Sequence, residues 1–191
     1  VEEAAKARVP MLVYFSILNR CATVAEAVEV IRSLPKADVG LVLYLADSER
    51  FVRVEQTAMD REIEIVEDGL RWNANFPNSQ TMAPEGMLEE MTDVNSLFAR
   101  NRIERLQHFS EEFRGAFDVA AMHTILSDHG VEGERTHMRS MCMHPKHAGG
   151  KQTCASMIAD PARRRMRIYA KNPCAGDVVE YDLAESLASP A

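Results

Sequence analysis

The order of periodicities along this chain constrains its fold more than any other feature. Helical periodicity comes first, then about four short strand-like runs, then two helical stretches, and then about four more strand-like runs. A chain that groups strands with strands, instead of alternating each strand with a helix, builds antiparallel sheets. The sequence therefore predicts an α+β fold, for which two facing antiparallel sheets with outer helices, an αββα sandwich, are one natural arrangement.

The first half of the chain carries clear local signals. Pro10–Asn19 is apolar all round, which predicts a buried helix that begins with Pro10 in its first turn. Thr23 and Glu26 have the spacing of a capping box, and an apolar face continues to Leu34 before Pro35 ends the helix. Four short runs then predict an antiparallel meander: Leu41–Ala46, Phe51–Glu55, Glu62–Val66 and Leu70–Ala74, with a hairpin turn at Glu67-Asp68-Gly69.

The second half repeats this order after a loop over Asn75–Glu85. Two helices are predicted, Asn95–Phe109 and Phe113–Leu126. Four strands follow, with turns marked by Asp160-Pro161 and Asn172-Pro173: Met138–Met143, Thr153–Ala159, Met166–Ala170 and Val178–Tyr181.

Charge and composition exclude several classes of partner. The 191 residues carry a net charge of −7, so neither a nucleic acid nor an anionic membrane surface is an expected partner. The longest apolar stretch, Pro10–Leu18, is far too short to span a bilayer. Four cysteines without a CxxC pair indicate reduced thiols and a cytoplasmic location. Because the sequence begins with Val1, an upstream segment, including a targeting signal, stays open.

Several stretches resemble the acyl-coenzyme A:6-aminopenicillanic acid acyltransferase family, the isopenicillin N acyltransferase-like proteins. The resemblance covers nearly the whole chain and rests on the order and spacing of these segments: VPMLVYFSILNRCATVAEAVEVI (9–31), LVLYLADSERFVRVEQT (41–57), ANFPNS (74–79), SMCMHP (140–145), CASMIADP (154–161) and KNPCAGDVVEYDL (171–183). It implies an αββα sandwich of the N-terminal-nucleophile (Ntn) hydrolase type.

The resemblance also implies a mechanism. Such proteins cut their own backbone before a cysteine, which then serves as nucleophile while its α-amino group serves as base. That cysteine should precede Val9-Pro10 by a long stretch. We therefore expect residues 1–191 to be the C-terminal part of a single Ntn-hydrolase-like domain, incomplete at its N-terminus and inactive alone. Its partners would be the missing N-terminal segment and a small-molecule substrate, either a linear amide or an acyl-CoA or β-lactam-like compound, with no cofactor.

Asn75 is the predicted catalytic residue of this chain. Amide hydrolysis and acyl transfer pass through a tetrahedral oxyanion, and Asn75 matches the family's asparagine that donates to it. Taken alone, Asn75 reads as an ordinary turn residue, since Asn-x-Pro is common in loops. Phe76 is a predicted substrate contact. The family more often has Thr at Ala74, His at Phe76 and commonly Arg at Met143, which leaves the substrate pocket in question.

Ser140, Cys142 and His144 alternate on a predicted strand, so they should share one face and could line the substrate pocket. A thiolate pair of Cys142 with His144 and a simple core-facing strand are the alternatives. A metal site is not expected, because no CxxC knuckle is present and these residues fit no standard zinc spacing, even with His129, His137 and His147.

Other polar residues have simpler interpretations. Arg102 stands where the family often has an arginine and is a candidate structural anchor. Asp128-His129 resembles a family pair and also reads as the end of a helix, and Cys174 is expected to be packed. A non-catalytic αββα binding domain, or a degenerate family member, is the alternative to an enzyme.

Overall fold

The computed structural model describes residues 17, 19–36, 40–67, 69–74, 94–130, 140–145 and 150–184. The chain divides into two compact units, residues 1–73 with 77–85, and residues 74–76 with 86–191. Among the described residues, each unit has a three-stranded antiparallel sheet and at least one helix, which confirms the predicted α+β class. These are the elements that an αββα sandwich requires.

Of the helix predicted at Pro10–Asn19, only Ile17, which is helical, and Asn19 belong to the described residues. Helix α1 follows at Val24–Ser33, as the capping box predicts. The Thr23 hydroxyl accepts a hydrogen bond from the amide of Glu26 at 3.2 Å. The Glu26 carboxylate, however, accepts from the amide of Ala22, one residue before the cap. The predicted apolar face is buried as a whole, and Ile31 at its centre is fully buried.

The first sheet has the order β1-β2-β3, with strands Leu41–Ala46, Phe51–Gln56 and Arg61–Ile65. Strands β1 and β2 pair antiparallel, with Ala46 opposite Phe51 beside the turn, as predicted. The buried side chains of Val52 and Val54 join those of α1 in one core cluster, so α1 packs on this sheet.

Asp47 fixes this sheet to the helix. Its carboxylate accepts hydrogen bonds from the amide of Val24 at 2.8 Å and from the amides of Glu49 and Arg50 in the β1–β2 turn. One side chain therefore caps the N-terminus of α1 and shapes the hairpin at the same time.

The predicted fourth strand, Leu70–Ala74, is wrong: residues 69–74 form turn and irregular backbone in the structure. A side chain attaches this segment in place of a ladder of backbone bonds. The guanidinium of Arg71 donates to the Glu64 carboxylate of β3 at 2.7 Å and to the carbonyl of Leu70 at 3.0 Å. Gly69 has a φ of +87°, a left-handed conformation that favours glycine and that a strand does not adopt.

The second unit contains helices α2, Val94–Glu112, and α3, Val119–Leu126. The second predicted helix begins six residues too early, because Asp118 caps α3 through a hydrogen bond from the amide of Ala121 at 2.8 Å. Between the two helices, Gly115 takes a φ of +75°, which a helix does not allow.

The second sheet has the order β4-β5-β6, with strands Ala155–Asp160, Arg165–Ala170 and Val178–Asp182. All three match the prediction within two residues. The strand predicted at Met138–Met143 is wrong over its described part, since residues 140–143 are bends and irregular backbone. The amide of Cys142 donates to the carbonyl of Asp128, and that of Met143 to the hydroxyl of Thr153, so neither bond belongs to a strand ladder.

Candidate functional site

The predicted site residues fall into two groups. Asn75 and Phe76 lie outside the described residues, so their roles stay predictions. Ser140, Cys142 and His144 are described. Ser140 is 1% exposed and Cys142 is fully buried, whereas His144 is partly exposed. Of these three side chains, only that of His144 offers accessible surface.

The segment 140–145 is held by hydrogen bonds from side chains. The Ser140 hydroxyl donates to the carbonyl of Cys142 at 3.0 Å, which folds the segment into a tight bend. The Thr153 hydroxyl accepts from the amide of Met143 at 2.9 Å, and the Asn172 side-chain amide donates to the carbonyl of Met143. Beside this bend the side chains of Cys142 and His144 lie together, with Sγ of Cys142 3.6 Å from Nε2 of His144.

Four side chains converge beside this bend: those of His129, Cys142, His144 and Cys174. One nitrogen or sulfur atom from each lies within 4.8 Å of the corresponding atoms of the other three. The Nε2 atom of His144 is central, at 3.1 Å from Nε2 of His129, 3.6 Å from Sγ of Cys142 and 3.2 Å from Sγ of Cys174.

The backbone around His129 is fixed by an ion pair. The guanidinium of Arg105 on α2 binds both carboxylate oxygens of Asp128, at 3.1 and 2.6 Å. The same carboxylate accepts from the amide of Gly130 at 3.1 Å, and the Asp128 carbonyl accepts from the amide of Cys142 at 2.9 Å. Hydrogen bonds that do not involve the imidazole and thiol groups of the cluster therefore hold residues 128–130 and Cys142 together.

Cys174 is placed by the turn that follows β5. Nε2 of His123 lies 3.1 Å from the carbonyl oxygen of Pro173, and the His123 ring stacks on that of Tyr169 with 4.8 Å between centroids. Asn172 is buried, and its side-chain amide also donates to Sγ of Cys142 at 3.5 Å. The Asn-Pro turn thus brings Cys174 to the same place as Cys142.

Arg102 lies close to the same bend. Its Nη2 atom is 3.4 Å from the sulfur of Met143. Burial lowers the pKa of Arg102, because taking the guanidinium out of water disfavours its charged form. The contact supports the role of Arg102 as an anchor on α2 for the 140–145 segment.

From the sequence, no metal site is expected at Cys142 and His144 even when His129 is added, and Cys174 is expected to be packed. His129 and Cys174 both join the cluster with Cys142 and His144, whereas His137 and His147 lie outside the described residues. The signal in the sequence was present but weak: a Cys-x-His pair, a histidine at a helix end and a cysteine in an Asn-Pro turn. All four cysteines of the chain carry free thiols.

Chemically, the cluster offers two thiol sulfurs and two imidazole nitrogens, a set typical of ligands for borderline-soft metal ions. The pair of Cys142 with His144 also has the residue types of a cysteine–histidine nucleophile. That use needs a sulfur accessible to substrate, and Cys142 is fully buried.

The class defined by these observations is an α+β protein of two antiparallel sheets with helices, in which a thiol–imidazole cluster lies in the second unit. The sequence profile of the acyl-coenzyme A:6-aminopenicillanic acid acyl-transferase family matches residues 8–175, and the chain belongs to that family. A search of curated proteins finds no match for this chain. Among the described residues, no helix combines the length and the apolar character needed to cross a bilayer.

Proposed function

We propose that this chain is the C-terminal part of an autoproteolytic enzyme of the N-terminal-nucleophile type that transfers or hydrolyses an acyl group. The family match over residues 8–175 is the observation that carries the proposal. The family's description names acyl transfer from acyl-coenzyme A to an amine, which converts a thioester into an amide. The substrate class would accordingly be an acyl-CoA thioester, a linear amide or a β-lactam-like compound.

The nucleophile in this proposal comes from upstream of the sequence. Cys21, Cys142, Cys154 and Cys174 all lie inside the chain, where none has the free α-amino group that such a nucleophile uses as its base. A cysteine freed at a new N-terminus by autoproteolysis in the preceding segment would pass its thiol proton to its own amine and attack the acyl carbon. The C–S bond to coenzyme A, or the C–N bond of an amide, would break and its leaving group would take that proton, and an amine acceptor or water would then accept the acyl group from the cysteine. The preceding segment is thus a required partner, and residues 1–191 belong to one domain with it.

Asn75 supplies the oxyanion donor in this mechanism. When the nucleophile adds to the carbonyl, negative charge develops on the oxygen, and a fixed amide N–H aimed at that position lowers the barrier by about 3 kcal/mol. Phe76 would contact the acyl group beside it. Ser140, Cys142 and His144 stay a predicted wall of the pocket, in which buried Ser140 and Cys142 would shape the wall and His144 would be the accessible member. A cytoplasmic location stays a prediction of the cysteine pattern.

The test uses the full-length protein. N-terminal sequencing and intact mass after purification should reveal a new chain that begins with cysteine, and acyl transfer is then measured with a panel of acyl-CoA donors and amine acceptors. Asn75→Ala should lower kcat by roughly 10²–10³ with little change in KM, because the hydrogen bond strengthens mainly in the transition state. Asn75→Asp should be at least as harmful, since a carboxylate repels the developing charge.

Asn78→Ala is the matched control, since it removes an identical side chain three residues away, within the same predicted loop. It should leave kcat unchanged. Full activity in Asn75→Ala would make the oxyanion role wrong while leaving the enzyme class in place. Absence of both the processed cysteine terminus and any acyl chemistry would favour the alternative, a non-catalytic αββα binding domain.

A further inference from the structure

The convergence of His129, Cys142, His144 and Cys174 has the dimensions of a metal site. In a tetrahedral zinc site, with Zn–N bonds of about 2.0–2.1 Å and Zn–S bonds of about 2.3 Å, two nitrogens lie about 3.4 Å apart and a nitrogen and a sulfur about 3.6 Å apart. The nitrogen–nitrogen distance here is 3.1 Å, and the two distances from His144 to sulfur are 3.6 and 3.2 Å. These three distances lie within a few tenths of an ångström of the tetrahedral values, and all pairs of donor atoms lie within 4.8 Å of each other, so the widest pair would close by roughly 1 Å around an ion.

Hydrogen bonds alone give a poor account of this packing. A single imidazole nitrogen carries either one proton or one lone pair. The Nε2 atom of His144 can therefore make one good hydrogen bond, yet another nitrogen and two sulfurs approach it within 3.6 Å. A cation at the centre of the cluster receives one lone pair from each of the four atoms, which accounts for all these approaches together.

We propose that His129, Cys142, His144 and Cys174 bind one zinc ion in a tetrahedral Cys₂His₂ site. Two thiolates and two imidazoles are the donor set of structural zinc, whereas calcium and magnesium require oxygen ligands. With all four positions taken by protein, no coordination position is left for water or substrate. The site is therefore structural, and the evidence for it does not rest on the proposed acyl chemistry, although two of its ligands, Cys142 and His144, also belong to the predicted pocket wall.

Residues around the four ligands support this assignment. The side-chain amide of Asn172 donates to Sγ of Cys142 at 3.5 Å, and such a bond stabilises a sulfur that carries the negative charge of a metal-bound thiolate. The carbonyl of Asp128 accepts from the amide of Cys142 at 2.9 Å, and this bond joins the two segments that carry three of the ligands, His129, Cys142 and His144. The ligand-bearing segments are thus already held together by bonds that do not involve the metal.

The ion would cross-link parts of the chain that are distant in sequence. His129 follows α3, Cys142 and His144 lie in the bend at 140–145, and Cys174 lies between β5 and β6. Coordination of the ion would fix two irregular segments, the bend at 140–145 and the turn that carries Cys174. This role suits a part of the chain where the backbone bonds of the described residues do not form a sheet ladder.

The metal content of the full-length protein tests the site without any measurement of turnover. The protein is expressed in zinc-supplemented medium, passed over a chelating resin and analysed by inductively coupled plasma mass spectrometry. We expect about one zinc per chain. After removal of zinc, Co²⁺ should bind with the intense visible bands of tetrahedral cobalt and the ultraviolet charge-transfer bands of thiolate ligation, and added Zn²⁺ should displace it.

Matched cysteine variants locate the site. Cys142→Ser and Cys174→Ser should each weaken zinc binding by at least about 100-fold and remove a thiolate charge-transfer contribution. Cys21→Ser and Cys154→Ser are the controls, since both thiols are free and neither belongs to the cluster. These controls should keep about one zinc per chain and an unchanged cobalt spectrum.

If the ligand variants do not fold, the metal content of the wild-type protein and the zinc affinity of Asn172→Ala still test whether the cluster binds zinc. Asn172→Ala keeps all four ligands and should lower zinc affinity by about 10–100-fold. A wild-type protein without zinc and without a cobalt spectrum would overturn the proposal. So would copper or iron in place of zinc, an Asn172→Ala variant with unchanged affinity, or a Cys142–Cys174 disulfide found by non-reducing peptide mapping of the purified protein.

Discussion

Replacing Arg105 by leucine should destabilise the protein, because it leaves the Asp128 carboxylate buried without its cation. The guanidinium makes two hydrogen bonds to Asp128, at 3.1 and 2.6 Å, and the Asp128 side chain is only 6% exposed. Removing one partner of a buried ion pair costs about 3–5 kcal/mol. The Arg105 side chain is 21% exposed, so water lowers this cost to about 2–3 kcal/mol. The lost contact over the Phe109 ring, 4.8 Å from its centroid, adds about 0.5 kcal/mol.

The assay is equilibrium unfolding in urea, followed by circular dichroism, and the expected loss for Arg105→Leu is about 3 kcal/mol. The control is Arg167→Leu. Its partner is Glu180 across strands β5 and β6 at 2.7 Å, but both side chains are about half exposed, so the change should stay within about 0.5 kcal/mol.

A double variant separates charge burial from lost packing. Asp128→Asn removes the buried charge and keeps an oxygen that can accept from the amide of Gly130. Added to Arg105→Leu, it should restore at least half of the lost free energy, because the penalty comes mainly from the uncompensated carboxylate. A double variant as unstable as Arg105→Leu, or a single variant that costs under about 0.5 kcal/mol, would refute the reasoning.

Two further predictions concern single residues. Gly176→Ala should lower the free energy of unfolding by about 1–3 kcal/mol in the same urea assay, because an added Cβ would lie 2.0 Å from the carbonyl oxygen of Ala170 and force the backbone to move; an unchanged midpoint would contradict it. Hydrogen bonds from the amides of Val24 and Glu49 lower the pKa of Asp47 below its ordinary value of 3.8. The resulting stabilisation is present when the pH is above that ordinary value, and it is lost as the pH falls through the lower pKa of the folded state. Below about pH 5, the free energy of unfolding should therefore change less steeply with pH in Asp47→Asn than in the wild type. Identical slopes in the two proteins would exclude this role.

The elements that could be predicted from the sequence are those fixed by nearby residues. The capping pair Thr23 and Glu26 defines the start of α1, and the short turn at Asp47–Arg50 defines the β1–β2 pairing. Each of these signals involves residues a few positions apart, so the pattern in the sequence and the contact in the structure coincide.

The two wrong strands have the opposite origin. Leu70–Ala74 and Met138–Met143 have strand-like composition, but a strand also needs a neighbour at hydrogen-bonding distance. Backbone donors in the second segment instead find the carbonyl of Asp128 and the hydroxyl of Thr153, and Arg71 attaches the first segment through its side chain. Such competing partners are distant in sequence, and no local pattern reveals them.

The cluster was missed for the same reason. Zinc signatures in sequences describe ligands that lie in one or two short knuckles, whereas these ligands come from three segments, with 29 residues between His144 and Cys174. Only tertiary structure brings Cys174 beside His144, and only the end of α3 brings His129 there. Ligand spacing in the sequence therefore excludes a zinc finger, but it does not exclude a zinc site whose ligands come from distant segments.

Cys142 and His144 take part in both the zinc proposal and the acyl-transfer proposal. Sγ of Cys142 lies 3.6 Å from Nε2 of His144, and a cysteine beside a histidine is the residue pair of a nucleophilic dyad. A catalytic thiolate must reach substrate, whereas Cys142 is fully buried and is surrounded by two imidazoles, a second thiol and the amide of Asn172. In the proposed zinc site its lone pair is already committed to the metal, so the sulfur is held away from acyl chemistry. The dyad therefore does not compete with the nucleophile proposed from the upstream segment. Instead, the metal would fix the bend at 140–145, and with it the pocket wall that is predicted to include His144.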